Sequence, residues 1–351
     1  MKAPASDTTS GLGNATECVR SLRAVREIGE NRLGTAPRTE AKTERTYAPL
    51  DQDVVNIAFG LDLAYLPHAG VAVASMIANA PGARFNFLVL HDGIPAEDRA
   101  SFESCGVGHA FNWLQISEPA VLAMPGKRHI SRATYFRLMI GELAPVDIGR
   151  VIYLDADLVV KSDIRKLYTV DLGGRSIGAV CDVGMDDRIF ADRFGLPHQR
   201  LGYFNSGVLV LELHNIRRDG DFQHALDLLQ KRSEDLEYAD QCALNVVFWQ
   251  RWAQLDVLWN VQRRMLMPQE GKPCFATARE MKTGKRPKII HFTEYNKPWS
   301  LDGWHPLIWA YYDYLRKTPY NRYVREVAHV TFAKDVKRRI KTLLNWWRLR
   351  P

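Results

Sequence analysis

Cysteine is scarce and scattered. The five cysteines (Cys18, Cys105, Cys181, Cys242, Cys274) are an odd number, and no Cys-x-x-Cys occurs. That argues against a disulfide framework and a thiolate zinc site, and it fits a reducing cytoplasm. Long apolar runs are missing too. No segment reaches the roughly 18 uncharged apolar residues of a membrane span. The N-terminus has no apolar signal core, so a cytoplasmic location is expected. Gly-x-Gly-x-x-Gly is absent, which removes a dinucleotide fingerprint, and there is no internal repeat. The body also lacks an excess of either charge. Residues 51–333 hold 32 Lys/Arg and 33 Asp/Glu, whereas residues 334–351 hold seven and one. The formal charge of +7 is therefore a property of the tail, and no nucleic-acid partner is expected.

What is present suffices for a sizeable core. The 351 residues are 46% apolar, enough for one large α/β domain or two small ones. Residues 1–50 are rich in Thr, Ala, Gly, Glu and Arg, have little periodicity, and read as a disordered or weakly ordered extension. Order is expected from Val54. Strands are predicted over Val54–Phe59, Arg84–His91 and Ala110–Ile116, with helices over Pro67–Ala80 and Pro95–Ser104 between them. A helix at Thr134–Ile140 and strands at Ile177–Cys181, Val208–Leu213 and Ile289–Phe292 follow. Helices are predicted at Asp221–Lys231, Asp240–Gln250 and His305–Leu315. The alternation means a mainly parallel α/β sheet with helices on both faces, spanning 51–333.

The richest stretch is 150–160. Val151-Ile152-Tyr153-Leu154 reads as a strand buried on both faces, ending in Asp155-Ala156-Asp157. Side chains two apart point the same way, so two carboxylates emerge together where open α/β sheets bind ligands. A divalent cation would make that pair tolerable; a cap or turn role is the plain alternative. Asp62 and Tyr65 end the first strand, suited to hold a base by acceptor and ring, or to cap a helix. Arg137, in an apolar setting, needs an anion, either a structural Asp or a ligand phosphate. His291 ends an apolar run, with Lys297-Pro298-Trp299 close behind, a grouping suited to a metal and a diphosphate.

Taken in order, these motifs resemble the family 8 retaining glycosyltransferases, of the bacterial lipopolysaccharide galactosyl- and glucosyltransferase type. The match runs from about Ile57 to Trp299. It includes His129-Ile130-Ser131-x-x-Thr134-Tyr135-x-Arg137, the Asp155-x-Asp157 strand, Tyr203-Phe204-Asn205-Ser206-Gly207-Val208, Tyr238-x-Asp240-Gln241, and His291 with Lys297-Pro298-Trp299. The resemblance implies a GT-A fold, a UDP-hexose donor, a glycan or glycolipid acceptor, and Mn²⁺, with Mg²⁺ as the alternative. It implies Asp155, Asp157 and His291 as metal ligands, and Asp62 and Tyr65 at the uracil. It puts Lys297 at the diphosphate and Ala156 within the donor-binding motif. Arg137, Asp182, Asn205, Asp240 and Gln241 would hold the sugar or line the transfer site, and His129 would lie near the acceptor. Asp240 is then the remaining candidate for a covalent nucleophile, and same-face attack by the acceptor is favoured over a double displacement.

Three positions depart from the family pattern: Leu63 for an acidic residue, Cys242 for Asp, and Glu294 for Gly. Glu294 would bring negative charge near the diphosphate. In 334–351, Val336, Ile340, Leu343, Leu344 and Trp347 form one helical stripe, flanked by Lys334, Lys337, Arg338, Lys341 and Arg348. This predicts an interfacial helix on an anionic membrane, at the inner face of the plasma membrane. Two rival functions remain. A sugar-nucleotide-binding protein with weak catalysis is one. The other is an Asp-x-Asp phosphatase, which the three βα units before the motif disfavour.

Overall fold

The computed structural model describes residues 54–126, 131–198, 202–267, 274–295, 297–300, 303–326 and 329–345. The extension expected at 1–50 lies outside them, as does His129. The chain falls into two units. One comprises Met1–Leu50 with Asp187–Gln199; its described part holds a helix, Asp187–Phe194, in which the Phe190 and Phe194 rings stand 4.7 Å apart. Everything below concerns the other unit.

Its centre is a seven-stranded sheet. The strands are β1 (Val54–Leu61), β2 (Arg84–His91), β3 (Ala110–Gln115), β4 (Arg150–Leu154), β6 (Ile177–Cys181), β7 (Phe204–Glu212) and β8 (Ala253–Gln254). They lie in the order β3-β2-β1-β4-β7-β6-β8. Pairs β1–β2, β2–β3, β1–β4 and β6–β8 are parallel; β7 runs antiparallel to β4 and β6. The sheet is thus mixed but mainly parallel. Its apolar strands are buried because helices cover it, and each enclosed Val, Leu, Ile or Phe contributes about 1.5–3 kcal/mol. Helix α1 (Leu66–Asn79) starts with Pro67 in its first turn, where no backbone N–H is missed. It inserts Leu66, Val73 and Met76 into the same core as Phe59, Phe87 and Ile152.

A second, three-stranded sheet joins β5 (Leu158–Val160), β10 (Ile289–His291) and β9 (Val261–Gln262). Strand β10 runs antiparallel to β5, with His291 opposite Leu158, and parallel to β9, with His291 opposite Gln262. This register carries His291 back to the Asp155-x-Asp157 turn.

Several boundaries differ from expectation for local reasons. Strand β1 continues through Gly60, where a Cβ would come within 2.7 Å of the Ala133 carbonyl oxygen. Arg132–Met139 is a 3₁₀ helix. Strand β7 starts at Phe204, because Asn205-Ser206-Gly207, turn-like in composition, is held in the ladder between β4 and β6. Helix α2 (Ala239–Val247) stops before Gln250, which has a left-handed φ of 62°.

The later described residues include helices α3 (Ile308–Leu315) and α4 (Phe332–Asn345), with a single helical turn at Tyr323–Glu326 between them. Arg338, expected on the basic flank of α4, is instead buried. It donates to the Tyr312 hydroxyl at 2.9 Å and to the carbonyls of Pro298 and Ser300. Trp304 Nε1 donates to Thr342 at 3.2 Å. Phe332, Ile340, Leu343 and Leu344 are exposed. Trp346 and Trp347 lie outside the described residues. No described helix is long and apolar enough to cross a membrane, and Cys105, Cys242 and Cys274 are free thiols.

Candidate active site

Strand ends from both sheets build the site. Strands β1 and β4 are parallel neighbours, so Asp62 and Asp155 leave the sheet at the same edge. Strand β7 runs the other way and brings its first residues there: Asp155 N–H donates to the Gly207 carbonyl at 2.9 Å. Asp182 follows β6 and donates its N–H to the Tyr203 carbonyl, also at 2.9 Å. A cleft of about 370 Å³ opens over this edge; its lining includes Tyr65, Arg137, Asp155, Asp157, His291 and Lys297.

Asp155, Asp157 and His291 each turn one ligand atom inward, all within 4.8 Å of one another. His291 Nε2 is 3.1 Å from Asp157 Oδ1 and 3.6 Å from Asp155 Oδ2. Lys297 Nζ takes the other side of Asp157, 2.5 Å from Oδ2, and also donates to the Phe292 carbonyl at 2.6 Å. Burial works to raise the Asp157 carboxyl, but Lys297 and His291 outweigh it and hold it well below the usual carboxylate range. Two carboxylate oxygens and an imidazole nitrogen form a donor set suited to a divalent cation such as Mn²⁺ or Mg²⁺. The space around them is reserved: a Cβ at Gly207 would fall 2.1 Å from His291 Cε1 and 2.6 Å from Asp155 Oδ2.

Arg137 lies beneath. It reaches Asp155 at 2.8 Å and Asp240 at 2.9 Å, with its guanidinium 4.5 Å from the Tyr153 ring centre. Of the two partners its sequence allowed, the protein supplies the structural carboxylates. Burial would lower its pKa, yet Asp155 and Asp240 raise it further, so it stays charged. Asp240 Oδ1 accepts the Thr134 hydroxyl at 2.7 Å, and burial pushes this carboxyl up against the pull of Arg137. Ala239, just before it, has a φ of 44°, uncommon without glycine. Gln241 Oε1 accepts the Ser206 N–H at 2.9 Å, and its Nε2 donates to Asp182 Oδ2 at 3.1 Å. Asn205 Nδ2 meets the same oxygen at 3.1 Å.

Tyr65 lines the cleft edge-on to Trp299, their centres 6.1 Å apart. Asp62 caps the turn that presents it, accepting Tyr65 N–H at 3.0 Å, and also takes the Ser131 hydroxyl. Ala156 is buried in the lining.

The three departures are absorbed. Leu63 is half exposed. The Cys242 thiol lies 3.3 Å from the buried Tyr203 hydroxyl and is not part of the cleft lining. Glu294 does line the cleft, but Arg263 pairs with its carboxylate. Sequence reasoning passed over that arginine, along with Asn260, Gln262 and Arg264. Gln262 and Arg264 line the cleft; Asn260 contacts His291 from behind. Their only sequence signal is a cluster of polar residues on either side of Val261, between Trp259 and Met265.

Residues 56–303 match the family model described as Glycosyl transferase family 8. The chain is 25% identical to General stress protein A of Bacillus subtilis (strain 168), covering 77% of this chain and 96% of that protein. It is 26% identical to a lipopolysaccharide 1,2-glucosyltransferase of Escherichia coli (strain K12), covering 76% and 79%. It is also 26% identical to a lipopolysaccharide 1,3-galactosyltransferase of Salmonella typhimurium, covering 73% and 76%. Among solved structures, the galactosyltransferase LgtC in complex with donor and acceptor sugar analogs aligns with a TM-score of 0.66 at 25% identity. That alignment covers 76% of this chain and 96% of LgtC.

Proposed function

Because the chain belongs to glycosyl transferase family 8, we propose that it moves galactose or glucose from a UDP-sugar to a glycan or glycolipid acceptor. The setting is lipopolysaccharide or surface polysaccharide synthesis. The observation that carries the reading is the meeting of Asp155, Asp157 and His291, with Lys297 on the outer oxygen of Asp157. In this reading the three hold Mn²⁺, or Mg²⁺ in its place. The cation supplies positive charge to a departing diphosphate.

The chain's own groups do the rest. Lys297 adds a fixed cation beside the diphosphate. Tyr65 offers a ring to the uracil, and Asp62 an acceptor for its N–H. Asp182, Asn205, Gln241 and Asp240 hold the hexose, Arg137 keeps Asp155 and Asp240 in place, and His129 serves the acceptor side. The C1–O bond to UDP breaks with its electron pair leaving on the phosphate. The acceptor hydroxyl forms the new bond on the same face and passes its proton to the departing phosphate oxygen, so configuration is retained. Asp240 and Gln241 are poor covalent nucleophiles here, because Thr134, Arg137 and Ser206 already engage their oxygens. Mass spectrometry of protein quenched in turnover is expected to find no glycosyl group on Asp240; an adduct there would establish double displacement.

The exposed apolar side of α4 supports docking on an anionic membrane at the cytoplasmic face, where a lipid-linked acceptor resides. The test of the whole reading is incubation with UDP-galactose and UDP-glucose in Mn²⁺, with and without chelator. UDP release that chelator abolishes is expected. Binding of the nucleotide without release would make the protein a sugar-nucleotide-binding module.

A further inference from the structure

Around Asn205, chemistry dictates the direction of every hydrogen bond. A carboxylate only accepts, so the 3.1 Å contact at Asp182 Oδ2 comes from Asn205 Nδ2. Asn205 Oδ1 therefore faces the opposite way, where it accepts the Gly207 backbone N–H at 3.0 Å. Asn260 approaches the same oxygen at 2.8 Å. Only a donor fits there, so Asn260 turns its Nδ2 to Asn205 and its Oδ1 to His291. That Oδ1 lies 2.9 Å from His291 Nδ1, which must carry a hydrogen. The other ring nitrogen, Nε2, is then the one that can offer a lone pair, and it is the one facing Asp155 and Asp157.

We propose that Asn260 is a positioning residue: it fixes His291 in the Nδ1–H tautomer and ties the metal-ligating ring to the Asn205–Asp182 end of the cleft. The inference rests on the cation reading above and deepens it. Asn260 is fully buried and is not part of the cleft lining, so it acts through its two neighbours. Its own place is rigid. It ends the 3₁₀ turn Val257–Asn260, which Asp256 caps through the Leu258 N–H at 3.0 Å. Strand β9 follows at once and pairs with β10, which carries His291. Partners of this kind orient a histidine ligand and raise its basicity; their loss typically weakens metal binding about 10–100-fold.

Two measurements test this. In ¹⁵N-histidine-labelled wild-type protein loaded with ¹¹³Cd²⁺, the cadmium coupling should fall on His291 Nε2 while Nδ1 keeps its proton. Coupling to Nδ1 would overturn the assignment. Titration of Mn²⁺ by electron paramagnetic resonance should give Asn260→Ala a dissociation constant about 10–100-fold above wild type. Asn260→Asp, which keeps the acceptor for Nδ1–H but sets an oxygen against Asn205 Oδ1, should bind more tightly than Asn260→Ala and more weakly than wild type. Equal affinity in wild type and Asn260→Ala refutes the role of Asn260 while leaving the metal site standing. No Mn²⁺ binding by the wild type would remove the metal reading itself, and this inference with it.

Discussion

Asp157 and Lys297 make the sharpest test of the site, because removing either partner has a different consequence with and without a cation. Both side chains are largely enclosed, at 11% and 12% exposure. Breaking a buried pair by removing one member typically costs about 3–5 kcal/mol, since the other charge is left behind. Lys297 keeps the Phe292 carbonyl, so Asp157→Ala is expected at the lower end, about 3 kcal/mol. At roughly 2 °C or more per kcal/mol for a chain of this size, the melting temperature should drop by about 6 °C in chelator. Added Mn²⁺ should not restore it, because a ligand is gone. Lys297→Ala removes the cation instead and leaves Asp157 with His291. It should also melt lower in chelator but recover in Mn²⁺, which occupies the same negative charge. Differential scanning calorimetry of both variants, with matched assays of UDP release, reads this out. Equal melting of wild type and Asp157→Ala in chelator, or recovery of Asp157→Ala in Mn²⁺, would refute the reasoning.

Gly207→Ala should reduce Mn²⁺ affinity by tenfold or more and cost about 1–3 kcal/mol of stability through overpacking against His291 and Asp155; Mn²⁺ titration and urea melts measure the two. Burial holds His305 down to about 3 and His68 well below its usual value. Below about pH 6.5 the unfolded chain takes up protons that the folded one refuses, so stability present above that pH is lost as pH falls toward 3. Urea midpoints across this window should flatten in His305→Phe; an unchanged slope would exclude His305 as a source. Leu343→Asp with Leu344→Asp should weaken binding to phosphatidylglycerol vesicles at least tenfold while UDP-hexose hydrolysis stays near wild type, and undiminished cosedimentation would sink the membrane role.

Much of this was legible in the residue order. Short apolar runs ending in Asp155-x-Asp157 or preceding Asp62 specify buried strands with polar ends, and the sheet realises them. What was not legible depends on register. His291 stands 134 residues from Asp157 and meets it only because β5 and β10 pair as they do. The same holds for Arg263 and Glu294, 31 apart, whose pairing neutralises a charge that looked misplaced. Arg137 could take a structural Asp or a ligand phosphate by its sequence, which cannot say that two carboxylates already surround it. Helical periodicity puts Arg338 among several cations on one flank, and it does not reveal which member of that flank turns inward.

That inward turn makes the tail and the cleft inseparable. Arg338 grips the carbonyls of Pro298 and Ser300, within three residues of Lys297. Cutting the chain before α4 would strip those carbonyls of their donor and uncover Trp304, so a truncated protein that lost turnover would say nothing about lipid. The end of the chain is a brace as well as a foot, and only changes confined to its outer side can separate standing on a surface from holding the floor of the site.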